Sequence, residues 1–295
     1  MIDIGSVGIW WSTAYDRAPF AAEVEALADI DERGWGTVWL PEHLGREVMS
    51  HSALALSAMR RACVVPGVAN LWARDAAAMM NGARTLAEAH PNRFALGLGV
   101  GHRGVARARG GATAESPLVS VQRYLAGMEA APYAAAKPEL EPARILAALG
   151  PKMLRIAATH TAGAHTYTVP VEHTAFAREV LGDGPLLAVE QKVVLSSDAE
   201  AARTTARKFL PLALPNYRNN LLRFGFEIDD LDDGGTDDVV DRLVAWGDPG
   251  AVRTRVREHL SAGADHVCLQ ILPLERQLPT RAWRELADAL IADPV

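Results

Sequence analysis

Residues 6–20 read SVGIWWSTAYDRAPF. The apolar run Ser6–Trp11 breaks into polar residues. Phe20, Val24, Leu27 and Ile30 then recur at helical spacing until Gly34 stops them. This is a strand feeding a helix. A doubly wound nucleotide-binding sheet would carry a Gly-x-Gly-x-x-Gly turn directly after such a first strand, and residues 6–20 have none. The opening unit therefore favours the other economical closure of alternating strands and helices, a barrel.

The same unit recurs outward from this stretch. Thr37–Leu40, Ala62–Ala69, Phe94–Val100, Ile145–Leu149, His165–Val169, Pro185–Leu195 and His266–Leu272 read as further strands. Helices are expected at Ala53–Arg61, Asp75–Ala89, Pro117–Ala130, Lys152–Thr159 and Thr174–Leu181. Another starts at Asp198 with Ser196 or Ser197 as cap, followed by Val239–Trp246, Ala251–Ala262 and Pro279–Ala292. The strands are short continuous apolar runs, which suits burial on both faces of a parallel sheet. Eight such units predict an α/β chain folded as a (β/α)8 TIM barrel, one domain over residues 1–295, with a hydrophobic fraction of 49% to fill it.

The charge of −6 disfavours duplex nucleic acid as a partner, because phosphate binding needs a concentrated basic surface. Cys63 and Cys268 sit in apolar runs, which suits a reducing cytoplasm better than a disulfide framework. The N-terminus reads as a strand rather than a signal peptide, and no apolar stretch is long enough to predict a membrane span. The expected partner is a small molecule.

In a barrel the chemistry sits on loops after the strand ends. That rule selects Trp10–Ser12, Pro41–Gly45, Gly67–Arg74, Gly99–Arg109, Gly150–Met153, Val169–His173, Ser196–Ser197 and Pro273–Arg276. His43, in Pro41-Glu42-His43, would face the mouth as a proton carrier or make a structural hydrogen bond, and Glu42 would orient it or touch a polar ligand edge. Gly97, Gly99 and Gly101 share one strand face, leaving an open slot that a planar ring or a neighbouring backbone could approach, or else serving tight barrel packing. Pro66-Gly67 inside a strand implies a bulge or an ordinary turn. Gly150-Pro151-Lys152-Met153 opens a helix whose free amides, with Lys152, suit a phosphate, or it is a plain turn. His102, His165 and His173 fall near strand ends, but no metal-ligand spacing joins them. His51, His90, His160, His259 and His266 read as structural. There is no Gly-x-Ser-x-Gly elbow.

TVWLPEH, VPGVANLWARD, HPNRFALGLGVGH, LGPKMLRIAATHTAGAHTY and GDPGAVRTRVREHLSAGADHV together resemble the luciferase-like family of flavin and deazaflavin barrel oxidoreductases, closest to its coenzyme F420-dependent members. The resemblance implies hydride transfer between F420 and a small organic substrate. It places His43 as the catalytic histidine and Glu42 and Asn70 as cofactor contacts. Gly67-Val68 falls at a non-prolyl cis peptide behind the ring, and Gly101 and His102 fall beside the ring. Gly150, Pro151 and Met153 match the phosphate segment, and Thr168 matches a further cofactor contact. It also implies a homodimer. Two departures stand out. The run after His43 is LGREV, without the tryptophan of some dehydrogenases of the family, and His102 stands where those carry a glutamate proton donor. The stretch from Arg103 to Pro142 is short for the family, which implies an open site or a bulky substrate. An FMN-dependent luciferase-like monooxygenase is the alternative activity, and a cofactor-binding protein without turnover is a third.

Overall fold

The computed structural model describes residues 2–108, 115–272 and 277–292. Eight strand positions close on themselves, all parallel. In chain order they are β1 (Val7–Trp10), β2 (Thr37–Leu40), the interrupted pair β3 (Cys63–Pro66) and β4 (Ala69–Asn70), β5 (Leu96–Gly99), β6 (Arg144–Ala147), β7 (Gly163–Thr166), β8 (Leu186–Leu195) and, after the off-ring β9 (Val244–Gly247), β10 (His266–Ile271). The hydrogen-bonded path is β3-β2-β1-β10-β8-β7-β6-β5-β4. It closes because both halves of the third strand lie against β5. Val64 pairs with Phe94 through its N–H to the Arg93 carbonyl at 2.8 Å, and Ala69 and Asn70 stand opposite Leu98 and Gly99. The eight sequence-predicted strands are these eight, with β6 and β7 starting one and two residues earlier than expected.

Side chains alternate between two cores, as a strand period of two requires. Ile9, Val38, Val64, Leu146, Leu187 and Leu269 face the helices, while Trp10, Trp39, Val65, Ile145, Ala188 and Cys268 fill the lumen. The outer ring comprises α1 (Phe20–Glu32), α2 (Val48–Ala58), α3 (Ala76–Ala89), α4 (Arg103–Ala108), α5 (Pro117–Glu129), α6 (Pro151–His160) and α7 (Val171–Leu181). It continues through α8 (Ala199–Arg207), α9 (Pro215–Leu221), α10 (Asp237–Leu243), α11 (Pro249–Ser261) and α12 (Thr280–Leu290). Caps account for several starts. Asp75 accepts the Ala78 N–H at 2.9 Å, and Asp248 accepts that of Ala251 at 2.9 Å with Pro249 in the first turn.

Three expectations need correction. The cap of α8 is Asp198 itself, which accepts the Glu200 and Ala201 N–H groups, rather than Ser196 or Ser197. Residues 244–246, expected as helix, form β9, because the far half of β8 has a free edge that Lys192–Leu195 offer to Val244–Gly247. His173, expected in a loop, lies buried in α7 and hydrogen-bonds the Leu149 carbonyl through Nε2 at 2.9 Å. Beyond β8, α8, α9, α10 and β9 enclose a small second core around Ala206, Leu221, Leu231 and Val240. This excursion brings α9 over the barrel mouth. Among the described residues, no helix is long and apolar enough to cross a membrane.

Candidate functional site

The C-terminal ends of the strands open into a cavity of about 680 Å³, within the range of small-molecule sites. Its back wall is the break in the third strand. The Gly67–Val68 peptide is cis, as the resemblance implied. The glycine row of β5 serves this break. A Cβ on Gly97 would overlap the Pro66 carbonyl oxygen, one on Gly99 would lie 2.5 Å from Val68 Cγ2, and one on Gly101 would overlap the Asn70 amide. The row is thus filled by neighbouring chain and is not an open slot. It lets the bulge lean inward so that Gly67 and Val68 reach the cavity.

Glu42 holds the bulge from the other side. Its buried carboxylate accepts the Asn70 N–H at 2.7 Å and a forked pair from Arg74, one arm at 3.1 Å. Arg74 also pairs with Glu47, whose carboxylate caps α2 through the Met49 and Ser50 N–H groups. Asn70 Oδ1 accepts the Trp72 N–H at 2.9 Å. Bidentate Arg–carboxylate geometry fixes both partners, so the loop after β2 and the bulge move as one piece.

His43 stands exposed on the cavity rim at the end of that loop. His102 faces the cavity after β5, its ring edge-on to Tyr217 at 5.7 Å. Burial pushes the His102 imidazole below its ordinary range, the neighbouring His43 pushes the same way, and a hydrogen bond with Asn216 opposes them. These shifts favour the neutral His102 ring, in which one nitrogen donates and the other accepts. From it an aromatic wall runs through Tyr217 and Tyr167 to Trp10, with centroids 5.7 and 5.1 Å apart.

At the far end, α6 begins at Gly150, which caps it without a side-chain hydrogen bond, and Pro151 occupies the first turn. The cation at this helix start is Arg223, from the turn after α9. Its Nη1 would lie 3.0 Å from a Cβ on Gly150. Lys152, expected there, is exposed and off the cavity wall. An open helix N-terminus beside a guanidinium is an arrangement that suits an anion.

Nine expected site residues line this one cavity: His43, His102, Glu42, Gly67, Val68, Asn70, Gly101, Gly150 and Met153. Pro151 and Thr168 do not. Thr168 lies beneath it at φ +55°, giving its N–H to Glu190 Oε2 at 3.1 Å and meeting Lys192 Nζ through its hydroxyl at 2.8 Å. There the buried Lys192–Glu190 pair supports Tyr167 from below, with Nζ 3.8 Å from its ring centroid. His165 belongs to the cavity floor, stacked on Trp39 at 4.6 Å, and burial pushes it down to about 3. His102, His165 and His173 do not converge on a metal site, and no group of three such ligands occurs among the described residues. The expected loop Pro273–Arg276 and Arg109 fall outside the described residues.

Trp10 and Trp11 end the first strand as candidates for a pocket wall or for core packing; Trp10 lines the cavity and Trp11 packs in the core, while sequence reasoning missed Tyr167 beside Trp10 and missed α9 altogether. The signal was present in PNYRNNLLR, residues 215–223, where Asn216, Asn219, Asn220 and Arg223 mark one polar helical stripe between prolines and leucines.

The profile of a family described as luciferase-like monooxygenase matches residues 7–266. No curated protein matches the chain in sequence. Among solved structures, an F420-dependent secondary alcohol dehydrogenase in complex with an F420–acetone adduct superposes with a TM-score of 0.75 at 14% identity, covering 97% of this chain and 98% of that one. The coenzyme F420-dependent tetrahydromethanopterin reductase of Methanopyrus kandleri gives 0.73 at 14% identity, over 97% and 98%. The oxygenating constituent of 3,6-diketocamphane monooxygenase of Pseudomonas putida, in complex with FMN, gives 0.68 at 15% identity, over 96% and 95%. At these identities the likeness is one of fold.

Proposed function

The chain belongs to the luciferase-like monooxygenase family, and from that premise we propose that it is an F420-dependent oxidoreductase passing hydride between the deazaflavin and a small uncharged organic substrate. The observation that carries the reading is the pair of histidines, His43 and His102, lining one cavity with a helix start suited to an anion and with the inward-leaning Gly67-Val68 bulge. The residues fit such a cofactor. Arg223 and the α6 N-terminus would take its phosphate, and Gly67 and Val68 would back its ring.

When bound, the deazaflavin supplies a carbon that gives or takes hydride but does not readily activate oxygen. The protein has three tasks around it. Arg74 and Glu42 fix the bulge so that the ring's seat does not move. The aromatic wall of Trp10, Tyr167 and Tyr217 excludes water from the reacting face. His102, neutral and anchored by Asn216, holds or receives the proton that accompanies hydride, with His43 at the rim relaying it to solvent. Glu42 itself is committed to Arg74 and Asn70.

The test is anaerobic turnover of reduced and oxidised F420 against a panel of ketones, enones and secondary alcohols, read by the cofactor's visible absorbance. His43→Ala and His102→Ala should each lower kcat/KM by about 100-fold or more without abolishing cofactor binding. Unchanged turnover in both variants would overturn the proton-carrying roles. Oxygen consumption with reduced FMN, and none with F420, would move the chain to the monooxygenase branch, as in the FMN-bound neighbour.

A further inference from the structure

Glu23 is fully buried on α1, at a place that does not demand a charge. Ala26, Leu27 and Ile30 continue the same buried face at helical spacing. Burying an ion pair costs desolvation that an apolar side chain of similar volume avoids, so stability is a poor reason for it. What the carboxylate holds is more informative. Its Oε1 meets His51 Nε2 in α2, and its Oε2 pairs at 3.1 Å with Arg46 Nη2 in the loop after β2. Arg46 also donates to the Ala18 carbonyl at 3.1 Å and lies over the Phe20 ring, 5.4 Å from its centroid. Glu23 thus ties α1, α2 and the loop between β2 and α2 to one point.

That loop carries His43. Residues 41–46 form neither helix nor strand, and His43, Leu44 and Gly45 are exposed in succession. Both flanks of this exposed run are gripped. On one side Glu42 is held by Arg74 and by the Asn70 N–H. On the other, Arg46 is held by Glu23. Between them the backbone at Gly45 lies directly on Asp16, where a Cβ would overlap the carboxylate. Asp16 belongs to the same cluster. Burial pushes its carboxyl up, while His51 and Arg46 draw it down. Three residues anchored at both ends have little room to swing.

We propose that Glu23 and Arg46 are positioning residues for His43, holding its imidazole at the cavity rim. The inference rests on the proposed role of His43. It extends that role to two residues outside the cavity, whose wall neither of them joins.

The test is a double-mutant cycle in anaerobic F420 turnover. Glu23→Gln and Arg46→Met should each lower kcat/KM about tenfold in the wild-type background, because a small displacement of a reacting group is costly, and should lower it no further once His43 is alanine. A general loss of structure would instead multiply through both backgrounds. A second readout needs no turnover. The two variants remove charges of opposite sign, so acting directly they would move the titration of His102 in opposite directions, Glu23→Gln downward and Arg46→Met upward. Acting through a displaced His43, which holds His102 down, both should move it upward. Histidine NMR of the ligand-free protein, with His102 assigned by its loss in His102→Ala, reads the direction. Unchanged kcat/KM, equal factors in the two backgrounds, or His102 shifts of opposite sign or none, would overturn the proposal and leave the role of His43 standing. His43→Ala with wild-type turnover would overturn that role and the proposal together. A wild type that does not turn over with F420 would overturn the proposed function, and the His102 titration then decides the positioning by itself. Should Glu23→Gln not fold, the cycle with Arg46→Met decides alone, since that variant leaves the buried Glu23–His51 pair in place.

Discussion

Lowering the pH from about 6 to about 5 should cost the folded protein about 5 kcal/mol. Four buried histidines are held toward the uncharged form. Burial chiefly pushes His165 and His259 down to about 3 and His173 and His266 down to about 4. Their partners suit the neutral ring. His266 accepts from Trp39 Nε1 at 2.9 Å and donates to the Gly5 carbonyl, while His259 is set between Thr174 and the Gln191 amide oxygen. In the unfolded chain each returns to about 6.5. The folded values lie below the unfolded ones, so the unfolded state binds more protons. The stability they confer is therefore full above about pH 6.5 and is lost as pH falls, levelling only toward about pH 4 to 3. Between about pH 6 and pH 5 each contributes somewhat more than about 1 kcal/mol of that loss, about 5 kcal/mol together. Asp31, kept below the ordinary carboxylate range despite burial by N–H groups of Ala62, Arg60 and Arg61, acts only at lower pH. Urea unfolding at each pH, followed by tryptophan fluorescence, measures the loss. His259→Asn should lower the pH 6 to 5 difference by about 1 kcal/mol whatever it does to absolute stability. A stability that changes by less than about 1 kcal/mol over that interval would refute the reasoning.

Other perturbations have equally definite outcomes. Gly97→Ala forces a methyl into the Pro66 carbonyl and should destabilise by about 3 kcal/mol or more in urea unfolding while weakening ring binding, because the bulge must retreat. Glu42→Gln leaves the largely buried Arg74 with Glu47 as its charged partner and should cost about 3 kcal/mol, read as a lower unfolding midpoint. Arg223→Gln should weaken phosphorylated cofactors about tenfold, leave dephosphorylated ones unchanged, and flatten the salt dependence of binding. Because burial and His43 depress His102, the acid limb of kcat/KM should fall below about pH 6.5 and shift upward in His43→Ala.

The barrel was legible because its determinants are local. Apolar runs such as TVWL and HVCLQI have a length and a burial pattern that suit parallel strands, and Asp75 marks the start of α3. The mouth was legible in part for the same reason, since His43, His102 and Gly150 follow directly from strand ends. What was not legible depends on pairing at a distance. The glycine row offered either a slot or a packing surface, and only the register of β4 on β5 shows that Pro66 and Val68 fill it. Arg223 reaches Gly150 across 73 residues of chain, and nothing near either residue announces the other. Residues 244–246 carry no local strand signal strong enough to beat a helical reading. They are strand because β8 outruns β7 and leaves an edge to be paired.

The most direct test of the central claim is titration of the purified protein with F420 and, separately, with FMN, followed through the fluorescence of Trp10 on the cavity wall with Trp10→Phe as control. The account predicts quenching by F420 at micromolar or lower concentration, lost in the control, and FMN binding at least tenfold weaker. FMN binding tighter than F420, or no binding of either, would contradict it.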